Sequence, residues 1–512
     1  MLGVMLGVLL AALDSSVVGT AMPNIISDLH GIDLYTWPFT AYMLCSTIII
    51  PVSGKMADMY GRKLIYLSGI VIFLAASALC GISWNMMALI VFRGAQGMGA
   101  GIILSSAFAV VGELFSPRER GKYMGFVASM FGLSSLLGPA LGGFITQTSW
   151  LGWRWIFYIN IPLGIIAFLT VLFALPSAGE DLEKKKIDFL GLGAFIVAIV
   201  PFLLGFTWAG KNYAWLSPEI LGMFAFSIVF FIIFYFIEKK AESPIIPLQL
   251  FRKNIFNISI GAMFMSSVAM FGIVIFLPLF LQAVLGKDPG TSGAIITPMM
   301  LSFVFASIVS GRIISATGKY KILSIVGFGF ALFGTILFYF MDENVTDFQL
   351  YRNMIVLGIG LGGTMPAFNI AVQNAFPQQM TGVVTSGVQF FRNMGSTIGA
   401  AIMGSVMISR MKIHFGDIQG KMGLPAGSGS KLGALADPMA IKDPATMAKL
   451  KSTMPPDMLH KLMGLVKQGL TASLHDVFFI SIVAAGIGVG FTFLLKEIPL
   501  REDRQKEIGV ID

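Results

Sequence analysis

The sequence predicts an all-α, polytopic membrane protein with fourteen transmembrane helices, arranged as two six-helix bundles in parallel repeat plus two inserted helices. Three observations carry this prediction. Of the 512 residues, 56% are hydrophobic and only 12% are charged, long apolar runs recur along the chain, and its second half repeats landmarks of its first. Soluble domains carry about 25% charged residues. The composition therefore excludes a soluble enzyme.

The apolar runs have the length that a bilayer requires, since about 20 apolar residues of helix cross the hydrocarbon core. Many runs contain glycine or proline, which membrane helices tolerate because neighbouring helices and ordered water satisfy the freed backbone groups. The predicted spans are 3–24, 37–54, 64–83, 86–112, 122–146, 155–175, 188–208, 218–237, 255–281, 291–314, 322–341, 351–373, 382–408 and 474–495.

Basic residues predict the orientation of these spans. An even number of spans places both termini on one side, and the loops on that side hold twenty Lys and Arg residues against four in the short loops opposite. The positive-inside rule therefore predicts cytoplasmic N- and C-termini. We expect the membrane to be the plasma membrane. The loop at 409–472 holds nine basic residues and is predicted to lie outside, because long loops are translocated largely regardless of charge. The net charge of +8 is thus a topology signal, and we expect no nucleic-acid partner.

Nothing in the sequence indicates a cleaved leader, a cofactor or a metal. The first span begins almost at Met1 without a basic region or a small-residue cleavage site, so we expect a retained span, with room for a short leader ahead of it. Cys45 and Cys80 lie in apolar runs and are expected to pack as small hydrophobic side chains. Two cysteines build neither a disulfide scaffold nor a cysteine-ligated metal site.

The chain contains an internal repeat. Gly54 and Gly61 match Gly311 and Gly318 at an offset of 257, and a further set matches at an offset of 261: Gly97, Gly99, Gly101, Phe115, Gly121 and Gly138 with Gly358, Gly360, Gly362, Phe376, Gly382 and Gly399. The repeat predicts parallel bundles at 1–175 and 255–495, a linker at 176–254 that holds the inserted helices 188–208 and 218–237, and a cytoplasmic tail at 496–512. Duplicated bundles of this kind are typical of secondary transporters, which bind substrate between the halves.

Several motifs resemble a known family. GKMADMYGRK, from Gly54 to Lys63, is similar to the signature cytoplasmic loop of the major facilitator superfamily. LDSSVVGTAMP in the first span, RGAQGMGAG from Arg93, and the glycine series of the fifth span resemble motifs of drug/proton antiporters. WRWIFYINIPLG, from Trp153 to Gly164, resembles the sixth span of the fourteen-helix branch that contains EmrB/QacA-like multidrug exporters. The likeness covers nearly the whole chain except the 409–472 loop.

The resemblance implies the major facilitator fold and roles for two groups of residues. The fifth-span series is expected to bend and thin its helix, which in the family accompanies antiport; its members are Gly125, Gly138, Pro139, Gly142 and Gly143. Ser134 stands where the family pattern has a glycine. The loop motif is expected to control conformation through Gly54, Asp58, Gly61, Arg62, Lys63, Glu113 and Arg118.

Asp14 and Arg93 are the charges that the first half places deep in the membrane. An ionised carboxylate there must face a cavity, find a partner or take up a proton, because burial is costly for a charge. Asp14 is therefore predicted to couple proton and substrate, or else to be a static structural carboxylate. Arg93 does not lose its proton in practice and is expected to act on Asp14, together with Gln96, or to form a fixed strut between helices.

Asp58 and Arg62 lie four residues apart in the loop motif, which also holds Gly54 and Gly61. Asp58 is expected to lie against the positive end of the span that begins near Thr381, and so to clasp the two halves when the protein is open outward. Arg62, Glu113 and Arg118 are expected to form the adjoining charge network. The alternative is a plain topological anchor for the loop.

The substrate cavity is predicted from composition. The chain has 31 methionines and 12% aromatic residues, which supply an adaptable surface for varied apolar cations. Arg392 either contacts substrate or packs against the facing half. The candidates near the predicted midplane are Gln96, Met130, Met265, Met299, Met300, Phe368, Asn369, Gln389 and Arg392.

These features predict a monomeric proton-coupled antiporter that exports lipophilic, often cationic drugs and dyes, without a cofactor. One deep carboxylate favours one proton per cycle and monovalent or neutral substrates. Two alternatives remain: an exporter of a specific metabolite, lipid or antibiotic, and a membrane sensor that binds drug without moving it. A membrane enzyme is disfavoured because no cluster of acids, histidines or metal ligands occurs at one interface, and the lysine spacing of a P-loop is missing.

Overall fold

The structure, a computed structural model, describes residues 1–30, 34–148, 151–176, 188–210, 212–287, 289–421 and 456–500. Every regular element within these ranges is a helix, apart from one β-bridge between Ala209 and Tyr213. The prediction of an all-α fold is confirmed. The central part of the predicted 409–472 loop, the end of the predicted 496–512 tail and the start of the 176–254 linker lie outside the described residues.

The described helices follow the order of the predicted spans. Their bounds are α1 Leu2–Leu29, α2 Trp37–Tyr60, α3 Arg62–Gly81, α4 Met86–Leu114, α5 Pro117–Gln147, α6 Trp155–Tyr158, α7 Asn160–Ala174, α8 Phe189–Trp208, α9 Pro218–Lys240, α10 Asn254–Leu279, α11 Pro289–Thr317, α12 Tyr320–Tyr339, α13 Asp347–Ala375, α14 Thr381–Lys421 and α15 Pro456–Leu494.

Within the described ranges, thirteen segments are long and apolar enough to cross a membrane, with α6 and α7 forming one of them. The predicted span at 382–408 lies in α14, which is a helix of sufficient length but a less apolar one. Its polar side chains point inward: Thr385, Ser386, Gln389 and Ser396 are all buried. The lower hydropathy of α14 therefore reflects a helix that is surrounded by protein on its polar side, as membrane helices with polar residues usually are.

Three spans differ from their predicted form. The sixth span is divided at Ile159 into α6 and α7, and the first turn of α7 carries an Asn-Ile-Pro sequence whose proline is accommodated near the start of a helix. α14 and α15 extend well past 408 and before 474, into the predicted loop at 409–472. The bounds of the predicted loop mark where the apolar runs end. A helix that leaves the membrane can continue in water, so its end need not coincide with the end of the apolar run.

The matched glycines of the repeat make equivalent packing contacts. In the first half, Gly97 and Gly101 of α4 lie against the backbone of α2, and Gly99 lies against α3 at Phe73. In the second half, Gly358 and Gly362 of α13 contact α11 in the same way, while Gly360 contacts α12 at Ala331. Residues without side chains let helices approach closely in membranes. The sequence repeat therefore corresponds to a repeat of helix packing.

The two halves meet at two equivalent glycine crossings on the predicted cytoplasmic side. Gly54 of α2 faces Gly382 of α14, and Gly311 of α11 faces Gly121 of α5. A Cβ atom at any of these four positions would collide with the facing backbone. A further bond joins the halves, since the Gln373 side-chain amide donates to the carbonyl of Phe108 at 3.1 Å. This side of the molecule is closed.

Helix α5 changes its packing partner along its length. Near its start, Gly125 lies against α11 of the other half at Ser307, whereas Gly138 and Gly142 lie against α1 of its own half. Pro139 is inside the helix and exposed, and Gly143 faces open space. α5 therefore diverges from α11 toward the predicted outer side, and its glycines mark both contact regions.

The inserted helices α8 and α9 pack on one edge of the bundle. Phe195 of α8 lies between Phe234 of α9 and Phe390 of α14, with ring centroids 5.4 Å and 5.7 Å away. At the predicted outer side, Trp215 donates a hydrogen bond to Ser405 of α14. The pair is thus attached to α14, the helix that also makes one of the two glycine crossings.

Two glycines on α12 differ in their surroundings and allow a test of the packing between α12 and α13. Gly327 lies against the backbone of α13, whereas Gly329 faces open space. We expect Gly327→Val to lower the free energy of unfolding by about 1–3 kcal/mol through overpacking, and the melting temperature of the purified protein by several degrees. Gly329→Val should change it little. Equal melting temperatures for the two variants would contradict the packing described for α12 and α13.

Candidate functional site

Asp14 lies at the middle of α1 in a fully buried polar cluster. One carboxylate oxygen accepts a hydrogen bond from Arg93 of α4 at 2.5 Å, and the other accepts from the amides of Gln96 and Asn160, each at 2.8 Å. The exposed fractions of all four residues are 0–1%. The acidic and basic groups that the sequence places deep in the first half are therefore direct partners.

Ser77 of α3 completes the cluster by bonding the side-chain amides of Gln96 and Asn160. Its hydroxyl accepts from Gln96 at 3.1 Å and from Asn160 at 3.0 Å, and it donates to the carbonyl of Phe157 at 2.8 Å. Four helices, α1, α3, α4 and α7, thus meet around one carboxylate. The nitrogen of each amide bonds both Asp14 and Ser77, and these two bonds orient the amides of Gln96 and Asn160.

The break between α6 and α7 places Asn160 in this cluster. Asn160 is the first residue of α7, and the carbonyl of Phe157 in α6 accepts the hydrogen bond of Ser77. The sequence that interrupts the sixth span therefore supplies two contacts of the cluster.

The Arg93 guanidinium is enclosed as well as paired. It lies 4.2 Å from the centroid of the Tyr42 ring and donates to the side-chain oxygen of Gln96 at 2.8 Å. The Tyr42 hydroxyl donates to the carbonyl of Ala11 in α1. An aromatic face stabilises a desolvated cation, so the ring replaces part of the water that the guanidinium loses.

The cluster has the hydrogen-bond pattern of an ionised carboxylate. All three contacts to the oxygens of Asp14 come from donors. A proton on Oδ1 would face one of its two amide donors, and two donors cannot bond each other. Protonation at that oxygen therefore requires the side chain of Gln96 or Asn160 to move.

Sequence reasoning named three of the residues in the cluster and missed three. Asp14, Arg93 and Gln96 were found because charged and amide side chains are rare in membrane helices. Asn160 lies in the quoted motif WRWIFYINIPLG without an assigned role, although an amide within an apolar run is itself a signal. Ser77 and Tyr42 carry no such signal, because serine and tyrosine occur throughout the spans.

Asp58 of α2 binds the first turn of α14 in the other half. One oxygen accepts from the backbone N–H of Gly382 and the other from that of Val383, both at 2.8 Å. The first N–H groups of a helix have no partner within the helix, and the helix dipole favours a negative charge there. The structure has the clasp geometry that the sequence predicts for Asp58.

Arg62 extends this contact. Its guanidinium donates to Asp58 at 3.3 Å, to Glu113 of α4 at 2.8 Å and to the carbonyl of Gln378 in the second half at 3.2 Å. Gly61 precedes it with φ of +88°, a conformation that favours glycine, and so turns α2 into α3. Lys63 follows in the first turn of α3, and Arg118 lies in the first turn of α5. That Arg118 takes part in the charge network of Arg62 and Glu113 remains a prediction.

The crossing of Gly121 with Gly311 has an equivalent of the Asp58 contact, but without a charged side chain. Ser315 of α11 accepts a hydrogen bond from the backbone N–H of Lys122 in α5 at 3.2 Å. Ser315 and Lys122 are the repeat equivalents of Asp58 and Val383 at the offsets of 257 and 261. The two halves are therefore joined by one ionic and one neutral version of the same contact.

The predicted cavity residues divide into two groups. Met299 and Phe368 lie in the packed interior of the second half, where Phe368 meets the Phe328 ring edge-on at 5.9 Å. These two are core residues in this conformation, because large apolar side chains pack whether or not a cavity is near. The others have different surroundings: Gln96 belongs to the Asp14 cluster, Met300 and Arg392 contact α5 of the first half, Asn369 and Gln389 each carry a buried polar atom without a partner, and Met130 and Met265 are partly buried apolar side chains.

A family model described as Major Facilitator Superfamily matches residues 4–400. The chain is 37% identical to the multidrug transporter protein MdtP of Bacillus subtilis, over 99% of this chain and 95% of the relative. It is 34% identical to multidrug resistance protein 3 of the same organism, over 94% of this chain and 92% of the relative.

Solved structures share the fold. The proton:xylose symporter XylE, bound to 6-bromo-6-deoxy-D-glucose, matches with a TM-score of 0.60 and 12% identity, covering 97% of this chain and 95% of that one. At this level of identity, the match shows only that the two proteins share a fold. The predicted fold class is confirmed, and the chain is a multi-pass membrane transporter and not an enzyme. It belongs to the major facilitator superfamily.

Proposed function

We propose that this chain is a proton-coupled antiporter that exports lipophilic drugs and dyes, cationic ones among them, across the plasma membrane. The observation that carries the proposal is the buried cluster around Asp14, in which a carboxylate at the middle of a span is held by three donors. Similarity to multidrug transporters along nearly the whole chain supports export of lipophilic compounds.

The cluster couples protonation to movement. In its ionised form Asp14 binds Arg93 and two amides from α4 and α7. Protonation removes the charge that pairs with Arg93, and a buried guanidinium without its partner is strongly destabilised. The helices α1, α4 and α7 then rearrange relative to one another. At about 150 mV, one proton supplies about 3.5 kcal/mol for such a step.

The clasp at Asp58 supplies the second element of alternating access. It holds α14 against α2 on the predicted cytoplasmic side, together with the glycine crossings. Release of this contact opens the cytoplasmic side, while the divergence of α5 from α11 defines the path on the other side. Substrate binds between the halves, as is general for transporters built from repeats.

We also propose cytoplasmic termini, a monomeric state and operation without a cofactor. The excess of basic residues in the loops on the side of the termini supports the orientation. The buried carboxylate supports a proton gradient as the source of energy.

The role of Asp14 is tested by Asp14→Asn. The amide keeps the size of the side chain but cannot take up a proton, so we expect everted vesicles to lose at least about 90% of the ethidium transport that a pH gradient drives, as is typical when an essential proton-transfer group is removed. Gradient-independent exchange of the dye should persist.

Asp28→Asn is the matched control, because Asp28 lies on the same helix in an exposed ion pair with Arg154. Transport by this variant should resemble that of the unaltered chain. Full gradient-driven transport by Asp14→Asn would rule out the proposed coupling role.

The clasp is tested by Asp58→Ala in a chain whose two cysteines are replaced by serine and whose Ser386, buried beside Gly54, is replaced by cysteine. Loss of a charged contact at a helix N-terminus is worth about 1–2 kcal/mol, so we expect maleimide labelling of this cysteine to accelerate about ten-fold. Asp188→Ala, which removes the cap of α8 within the inserted pair, is the control and should leave labelling unchanged. Unchanged labelling in Asp58→Ala would show that the clasp does not hold the closed side.

A further inference from the structure

Arg392 lies on α14 at the boundary between the halves. Its guanidinium carbon is 5.2 Å from the centroid of the Phe131 ring, which belongs to α5 of the first half. One of its N–H groups donates to the side-chain oxygen of Gln389 at 3.1 Å. The residue as a whole is half-buried. It lies about 16 Å along α14 from Thr381, well inside the span and beyond the reach of lipid headgroups.

The neighbouring side-chain amide, that of Gln389, lacks a hydrogen-bond partner for its nitrogen. Gln389 is only 3% exposed, and its side-chain nitrogen has no hydrogen-bond partner. Its side-chain oxygen is already used by Arg392. An arginine has no acceptor, and an amide nitrogen only donates. The buried nitrogen of Gln389 and the remaining N–H groups of Arg392 are therefore all donors.

The charge of the site is also unbalanced. Arg93 has Asp14 as its partner, whereas among the described residues no carboxylate lies within salt-bridge distance of Arg392. A buried donor without an acceptor and a deep cation without a counter-ion are both costly. Groups of this kind persist at functional sites, where a ligand supplies what the protein lacks.

We propose that Arg392 and Gln389 bind the carboxylate of a lipophilic substrate. This inference rests on the proposed export function and names the substrate class: lipophilic molecules that carry a carboxylate, including zwitterions with a cationic group elsewhere. A planar guanidinium binds a carboxylate through two parallel hydrogen bonds, and the amide of Gln389 supplies a third donor from the preceding turn. The Phe131 ring, across the boundary, lies against the apolar part of the same molecule.

A purely structural role would give Arg392 the same contacts. A guanidinium stacked on Phe131 can hold the halves together without touching substrate. The two roles differ in one respect, because a strut is indifferent to whether the substrate carries a carboxylate. Two dyes that differ only in that group separate them.

The test measures binding of rhodamine B, which has a free carboxylate, and of its ethyl ester to the purified full chain by fluorescence anisotropy. We expect Arg392→Gln to weaken binding of rhodamine B about ten-fold and that of the ester less than about two-fold, since one charge-assisted hydrogen bond is worth about a factor of ten. Gln389→Glu places a carboxylate beside Arg392 and should reverse the preference toward the ester.

Arg352→Gln is the matched control, because Arg352 is exposed on α13 and bonds only its neighbour Asn353 in the described structure. It should change neither affinity. Equal weakening of both dyes by Arg392→Gln would establish a strut and overturn the inference. Unchanged affinities, or no binding of rhodamine B by the unaltered chain, would overturn it too. Binding needs no gradient, so failure here is distinct from failure of proton coupling at Asp14.

Discussion

The close approach of the two halves at paired glycines is the constraint on which the rest of the structure depends. Gly54 with Gly382, and Gly121 with Gly311, leave no room for a Cβ atom between facing backbones. Only at this separation can the carboxylate of Asp58 reach the N–H groups of Gly382 and Val383. Packing without side chains thus sets the geometry in which a single charge can join the halves.

Burial of charge shapes the first half in the same way. An isolated carboxylate or guanidinium deep in a bundle costs several kcal/mol, and pairing offsets this only when further hydrogen bonds satisfy both groups. Asp14 and Arg93 have that support from Gln96, Asn160 and Tyr42. The buried asparagine of the sixth span is thereby explained as one of the donors that stabilise this ion pair.

The sequence was sufficient for the fold class, the order of helices and the charged members of both contacts, because apolar length, glycine repeats and deep charges leave direct signals. The sequence did not identify functional residues whose residue type occurs at many positions of the spans. Ser77 and Tyr42 resemble every other serine and tyrosine of the spans, and Phe368 is as apolar in a packed core as in a cavity. The ends of α14 and α15 were misplaced because polarity marks where the membrane ends, not where a helix ends.

The two glycine crossings are equivalent in shape but not in charge. Asp58 holds one of them, and Ser315 occupies the corresponding place in the other. Separation at the first crossing exposes an anion and a helix end that must both be rehydrated, whereas separation at the second exposes only a hydroxyl and an amide. The repeated scaffold therefore holds its halves together through two unlike joints, one that depends on a carboxylate and a helix end between α2 and α14, and one made by a serine hydroxyl between α5 and α11.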